Sequence, residues 1–208
     1  MSLKRNPLQI LKGYPSSVEV RSLFSIEECK QVIDFATKNI QPDVGKVLNQ
    51  LSPSELQKLR NSNVRWLRPS SQTDWIFSKL DHAIEQVNSE WFNFNLLGYE
   101  ACQFTEYDSN ELHHYNWHTD MAYYSNQFPD QSGNAELRKL SISISLNQQE
   151  FDFEGGNFEI DNPTNPVNIQ LDVGDSVFFP SFVWHRVTPV TKGTRYSLVV
   201  WVLGKPFQ

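Results

Sequence analysis

Lys139-Leu140-Ser141-Ile142-Ser143-Ile144-Ser145-Leu146-Asn147 alternates apolar and polar residues without a break. Successive side chains of a strand point to opposite faces. Leu140, Ile142, Ile144 and Leu146 therefore share one face, and Ser141, Ser143, Ser145 and Asn147 the other. A helix would mix the two sets. Stretches of similar character recur on both sides of this one, at residues 99–106, 156–160, 168–171, 176–179, 185–189 and 195–203. Gly155-Gly156, Asp161-Asn162-Pro163, Gly174-Asp175 and Lys192-Gly193 punctuate them as turns. Short strands at this spacing predict a sandwich or barrel.

Upstream of residue 98 the pattern is helical. Ser25-Ile26-Glu27-Glu28 reads as a capping box, in which Ser25 accepts from a free backbone N–H and Glu28 reaches back. Ile26, Cys29, Ile33 and Ala36 follow at helical spacing, with Val32 beside them. A second helix is expected from Thr73 or Asp74, with Ile76, Leu80, Ala83, Ile84, Val87 and Trp91 on one face. Residues 41–69 are polar with few strand signals, and 52–59 reads as a short helix among them. The expected fold class is α+β: one domain over 1–208, with 1–97 a mainly helical support. Residues 98–208 then form a double-stranded β-helix, a jelly-roll variant that carries the site.

The chain has 208 residues, 39% hydrophobic and 20% charged, as in an ordinary soluble globular domain. Its net charge of −6 argues against a dedicated nucleic-acid binder. Two cysteines, Cys29 and Cys102, are too few for a disulfide framework or a structural zinc site, and both sit in apolar-periodic stretches. Buried free thiols suit a reducing compartment. The first residues lack the apolar segment of a signal peptide, and no apolar run reaches the length of a membrane span. The expectation is a cytoplasmic protein without a membrane partner.

The chemistry concentrates in Trp117-His118-Thr119-Asp120 and Trp184-His185-Arg186. On a strand, His118 and Asp120 would share a face with Cα atoms about 6.6 Å apart. His-x-Asp alone arises often by chance. The distal His185, at a strand start after a Gly-Asp turn and Phe178-Phe179-Pro180, makes the set two histidines and one carboxylate. That set leaves metal positions open for a cosubstrate and oxygen, as in non-haem Fe(II) oxygenases. His82 lies off the apolar helix face, and His114 would stand about 13 Å from His118, beyond shared ligation. His113 and His114 are assigned to the pocket mouth or the surface. No side chain beyond the metal centre is needed as a general base.

Arg195 lies in a strongly apolar run, Leu198-Val199-Val200-Trp201-Val202-Leu203. An arginine there should have a buried anionic partner, and its guanidinium suits a carboxylate held by a two-pronged contact.

These residues resemble the 2-oxoglutarate/Fe(II) dioxygenases of the prolyl 4-hydroxylase class, nearest to the PKHD-type hydroxylases of bacteria and phages. The matching stretches include Gln103-Phe104-Thr105-Glu106-Tyr107, Trp117-His118-Thr119-Asp120, Glu154-Gly155-Gly156, His185-Arg186-Val187-Thr188-Pro189-Val190 and Lys192-Gly193-Thr194-Arg195-Tyr196-Ser197-Leu198. The resemblance implies His118, Asp120 and His185 as iron ligands. It implies Arg195 as partner of the distal carboxylate of 2-oxoglutarate, Tyr107 as a second contact and Trp201 as an aromatic wall. It also implies Fe(II), 2-oxoglutarate and O2 as cofactors, with ascorbate as a further candidate, and a peptidyl-prolyl or related substrate hydroxylated with release of succinate and CO2. Collagen-type relatives carry lysine where Arg195 stands, and some carry a tyrosine near Ser145. The segment between Tyr107 and His118 lacks the glycine that relatives often have there.

The rival readings are a small-molecule or nucleobase oxygenase on the same scaffold and a cupin-like binding protein without catalysis. A zinc hydrolase is disfavoured because His-Glu-x-x-His is missing. Residues 41–69 and 121–137 are the expected substrate-selecting loops, and the second, with Tyr123, Tyr124, Phe128 and Pro129, is either a lid or a fixed wall.

Overall fold

The computed structural model describes residues 14–44, 52–99, 101–121 and 136–206. In chain order the strands are β1 (Val18–Val20), β2 (Asp43–Val44), β3 (Arg60–Asn61), β4 (Asn63–Leu67), β5 (Leu96–Gly98), β6 (Cys102–Asp108) and β7 (His114–His118). They continue with β8 (Leu137–Ser145), β9 (Phe153–Gly155), β10 (Phe158–Asn162), β11 (Asn165–Ile169), β12 (Ser176–Pro180), β13 (Trp184–Val187) and β14 (Val190–Gly204). Among the described residues the major sheet runs β1-β12-β8-β14-β6-β4-β2, with β5 and β9 also paired to β14. The minor sheet runs β11-β10-β13-β7-β3. Two facing antiparallel sheets with non-sequential neighbours make the expected jelly roll.

The alternation around Ser143 holds over β8. Leu140, Ile142, Ile144 and Leu146 pack outward into a core with Phe104, Phe178, Leu198, Val200 and Val202. Helices α1 (Ile26–Asn39) and α3 (Asp74–Val87) cover that face through Cys29, Val32, Ala36, Ile76, Leu80 and Ala83. Burying each large apolar side chain there stabilises by about 1.5–3 kcal/mol. A second cluster, with Tyr107, Phe158, Ile160, Val177, Phe179 and Val187, fills the space between the sheets.

The Ser25 capping box is present in both directions, and Ser52 and Glu55 form a second one at α2 (Pro53–Leu59). Three expectations change. Ile26 is 60% exposed, because Val32 rather than Ile26 completes the buried stripe of α1. Trp91 is 48% exposed while Phe92 is fully buried. The cause is a π-helical turn over Asn88–Phe92, closed by Asn93 N–H donating to Asn88 O at 2.6 Å. The extra residue in that turn rotates the apolar stripe by one position. Third, residues 41–69 are not a strandless loop: β2, β3 and β4 lie within them and join both sheets. They are short, and β4 carries Arg65 and Trp66 among its apolar residues, so its alternation is weak. Arg65 is neutralised by Glu106 of β6 at 3.0 Å.

Residues 122–135, including Tyr123, Tyr124, Phe128 and Pro129, lie outside the described residues. Among the described residues no helix is long and apolar enough to cross a membrane. Cys29 and Cys102 are buried and unpaired, and burial raises each thiol pKa to about 12.

Candidate metal and cosubstrate site

His118, Asp120 and His185 converge between the sheets, with their ligand atoms all within 4.8 Å of one another. His185 and His118 are cross-strand partners on β13 and β7. Asp120 arrives differently from the expectation. The strand ends at His118, so the two-residue alternation does not aim the carboxylate. The backbone N–H groups of Asp120 and Met121 both donate to Ser181 O, at 2.9 and 2.8 Å. Ser181 N–H in turn donates to Lys139 O at 3.0 Å, tying this turn to β8.

The imidazoles are oriented by carbonyls. His118 Nδ1 lies 2.7 Å from Asn116 O, and His185 Nδ1 lies 3.1 Å from Val183 O. A carbonyl can only accept, so each Nδ1 carries the proton and each neutral ring turns its Nε2 lone pair to the centre. His118 Nε2 is 3.6 Å from Asp120 Oδ1, and His185 Nε2 is 3.4 Å from Asp120 Oδ2. Burial, reinforced by the neighbouring His185, lowers the His118 pKa to about 3. For Asp120 burial works against the charge, but His185, His118 and Arg138 outweigh it and hold the carboxyl below its ordinary range. Two lone pairs and a carboxylate facing one point are a donor set for a divalent cation.

Arg195 lines the same cavity, which encloses about 400 Å³ of empty space including its mouth. It is 4% exposed. Its Nη1 donates to Ser197 Oγ at 3.1 Å, and its guanidinium carbon lies 5.5 Å from the centre of the Tyr107 ring, its partner across β6 and β14. Among the described residues no carboxylate lies within ion-pair distance of it. Burial accordingly pushes its pKa down. A buried cation with a hydroxyl and a ring for neighbours is a receptor for an anion. Gly156 makes room for it: at φ +59°, a Cβ there would stand 3.0 Å from Arg195 Cδ. Tyr107 and Trp201 line the cavity too, and Arg138 lies 4.1 Å over the Trp201 ring. All six residues named from sequence thus border one space.

His82 is exposed, and His114 binds Leu112 O and Lys58 O at the surface end of β7. His113 is buried but outside the cavity. Its Nδ1 accepts from Asp108 N–H at 3.0 Å and shapes the turn before β7. In that turn Leu112 takes the left-handed conformation, φ 49°, that a glycine would adopt more readily.

Sequence reasoning missed Arg60 and Tyr115, which also line the cavity. Tyr115 pairs with Val187 and His118 with His185. Four residues of β7 therefore face three of β13, a bulge that turns Tyr115 and His118 to the same face. Strict alternation would separate them. Gln103 and Ser197 were within reach of sequence reading, since each shares strand parity with a residue already chosen, Tyr107 and Arg195.

The family pattern described as the 2OG-Fe(II) oxygenase superfamily matches residues 102–203, about half of the chain. A PKHD-type hydroxylase of Xylella fastidiosa is 35% identical over 101 residues, which cover 48% of this chain and 43% of that protein. The chain spans less than half the length of the curated relatives it matches. Among solved structures, a Pseudomonas putida prolyl-4-hydroxylase superposes with a TM-score of 0.66 at 17% identity, covering 92% of this chain and 94% of that one. A Trichoplax adhaerens prolyl hydroxylase, in complex with a hypoxia inducible factor peptide fragment, superposes with a TM-score of 0.69 at 18% identity, covering 91% and 84%. At these identities the superpositions speak for the fold, and the matched sequence speaks for the chemistry. Residues 102–203 thus match the 2OG-Fe(II) oxygenase superfamily on a fold shared with prolyl hydroxylases, and that likeness implies Fe(II), 2-oxoglutarate and O2.

Proposed function

We propose that the protein is a 2-oxoglutarate-dependent dioxygenase that hydroxylates a C–H bond of a peptidyl-prolyl or related protein substrate, with release of succinate and CO2. One observation carries this reading: a buried arginine, with no carboxylate partner among the described residues, lines the same cavity as a two-histidine, one-carboxylate cluster. His118, Asp120 and His185 would hold Fe(II). Arg195 would take the distal carboxylate of 2-oxoglutarate, with Ser197 and Tyr107 beside it and Trp201 as a wall. The bound metal and cosubstrate supply the oxidation of an unactivated C–H bond by O2, coupled to decarboxylation. The protein's own part is to hold and exclude. Asn116 O and Val183 O keep the histidine protons on Nδ1, so no proton must leave the rings when a metal arrives. Phe158, Phe179 and Val187 keep water from the inner wall. The buried free thiols suit a reducing compartment, and we place the protein in the cytoplasm on that ground.

Supporting a peptide substrate, the Trichoplax relative was solved with a peptide fragment bound. The test is succinate release over a panel of proline-containing peptides, free amino acids and nucleic acids, with mass spectrometry of the product. We expect a proline-containing peptide to gain one oxygen atom in step with succinate. Tight 2-oxoglutarate binding with succinate release on free amino acids alone would replace the peptide reading. Neither binding nor release under any condition would leave a non-catalytic binder.

A further inference from the structure

The two imidazoles of the site are held in different ways. His185 sits within β13 and is 5% exposed. Its ring is packed by Phe179 at 4.7 Å and Phe158 at 5.8 Å between centroids, both from the inter-sheet core. His118 is the last residue of β7, where the chain leaves the sheet. Its hydrogen bond to Asn116 O fixes the tautomer and comes from an exposed residue of the same strand. Beyond that carbonyl, Tyr115 lies against the ring: the two rings stack with centroids 3.4 Å apart and planes 11° from parallel. The far face of Tyr115 is covered by Arg60, whose guanidinium carbon lies 4.6 Å from the ring centre. Arg60 is 4% exposed and is itself oriented, because its Nε donates to Ser62 Oγ at 2.9 Å. Arg60 and Tyr115 are also direct partners across β3 and β7.

We infer that Tyr115 and Arg60 are positioning residues, a stacked clamp through which the N-terminal strand β3 sets the orientation of the His118 imidazole toward the metal. The β7 bulge is the backbone device that makes this stack possible, since it alone puts Tyr115 on the His118 face. The stack needs an aromatic ring at 115 and a planar cation behind it. Guanidinium stacks flat on an aromatic face in a way that an ammonium does not. Groups that orient a metal-binding histidine typically change metal affinity by about 10–100-fold when removed. The inference rests on His118 being a metal ligand, so the experiment must separate the two ideas.

Co(II), whose visible absorption reports ligand arrangement, is titrated into the full chain and into four variants. Tyr115→Phe keeps the ring and should keep both the affinity and the spectrum. Tyr115→Leu should weaken Co(II) about tenfold and alter the band shape. Arg60→Met should move both readouts in the same direction by less. His118→Ala is the control and should lose tight binding altogether. If His118→Ala binds like wild type, the ligand assignment fails and the clamp with it. If His118→Ala loses binding but Tyr115→Leu matches wild type, the clamp alone is overturned. Loss in Tyr115→Phe as large as in Tyr115→Leu would also overturn it, because the hydroxyl and not the stack would then matter. Should Tyr115→Leu not fold, Arg60→Met decides: an unchanged affinity and spectrum would sink the inference.

Discussion

The major sheet presents two buried faces of opposite character. On the helix side, Leu140, Ile142 and Ile144 of β8 lie beside Leu198, Val200 and Val202 of β14, all at 1% exposure or less. On the cavity side of the same two strands stand Ser141, Ser143, Ser145, Arg195 and Ser197, none more than 5% exposed. One face excludes water and stabilises. The other hides polar groups, which is costly unless each finds a partner. Ser141 Oγ meets Ser181 Oγ at 2.9 Å and Ser145 Oγ donates to Asn147 O at 3.0 Å, while Arg195 has a hydroxyl and, among the described residues, no carboxylate. A strand pair can thus carry stability and chemistry together because its side chains alternate. Substitutions on the two faces should then separate into different phenotypes.

The largest separation is expected at the metal cluster on the cavity side. Asp120→Ala removes the one carboxylate of the set, and two neutral imidazoles are a poor site for a hard divalent cation. Tight Fe(II) or Mn(II) binding should disappear, and turnover with it. His118→Ala and His185→Ala should behave alike. Metal titration checks this, and an unchanged affinity in any of the three removes that residue from the set.

Arg195 gives a loss of similar kind but confined to the cosubstrate. Arg195→Met should bind metal normally, since the residue is not a ligand, and should bind 2-oxoglutarate about 3–5 kcal/mol less tightly, because the distal carboxylate would be buried without a partner. Arg195→Lys should lie between, keeping the charge but losing the fork. The cosubstrate-free Arg195→Met protein should be at least as stable as wild type, because burial already disfavours the arginine charge. Calorimetry with Mn(II) present and thermal melts without it test both halves. Equal 2-oxoglutarate affinity in wild type and Arg195→Met would make the residue structural.

The opposite phenotype belongs to the helix side. Ile142→Ala leaves a void among Phe178, Leu198 and the helices, and should cost about 2–5 kcal/mol of folding stability. The surviving folded protein should bind 2-oxoglutarate as before, since Ile142 points away from the cavity. Denaturant melts and binding on one sample test this. A matching loss of cosubstrate affinity would mean that the two faces are mechanically coupled, and the contrast between them would fail.

How far the sequence alone reached follows the same division. β8 was readable because one of its faces is apolar and the other is serine, and β14 because its apolar run is long. His118, Asp120, His185 and Arg195 stood out because ionisable residues are conspicuous among apolar strands. β3 and β4 did not, because Arg60, Arg65 and Trp66 break the alternation by which strands are recognised. Their ladder depends on β6 and β7, far along the chain, so no local window contains the reason they are strands. Trp91 and Tyr115 were misplaced or missed for a shared cause: a π-turn in one case and a bulge in the other inserts a residue and shifts the period. Asp120 was expected beside the histidines by a geometry that does not operate, since Ser181 O, and not strand parity, brings it to them.

The smallest expected effect concerns the cavity side in mild acid. His118 has its pKa lowered from 6.5 to about 3, chiefly by burial. In the unfolded chain it titrates near 6.5. Between these values the unfolded state binds a proton that the folded state does not, so stability falls as pH falls. The carboxylates hardly change charge above pH 5, which leaves this window to the histidines. From pH 7 to pH 5.5 the His118 contribution should be a loss of about 1 kcal/mol, since each full unit below 6.5 corresponds to about 1.4 kcal/mol. The measurement is the difference in metal-free unfolding free energy between the two pH values, for wild type and for His118→Gln, which cannot titrate. Wild type should lose about 1 kcal/mol more than His118→Gln. Helix-side Ile142→Ala, in a core whose Cys29 and Cys102 thiols stay protonated throughout this window, should show the wild-type pH slope despite its lower stability. Equal slopes in wild type and His118→Gln would mean that His118 takes up its proton in the folded state, and that the cavity face is wetter than its packing implies.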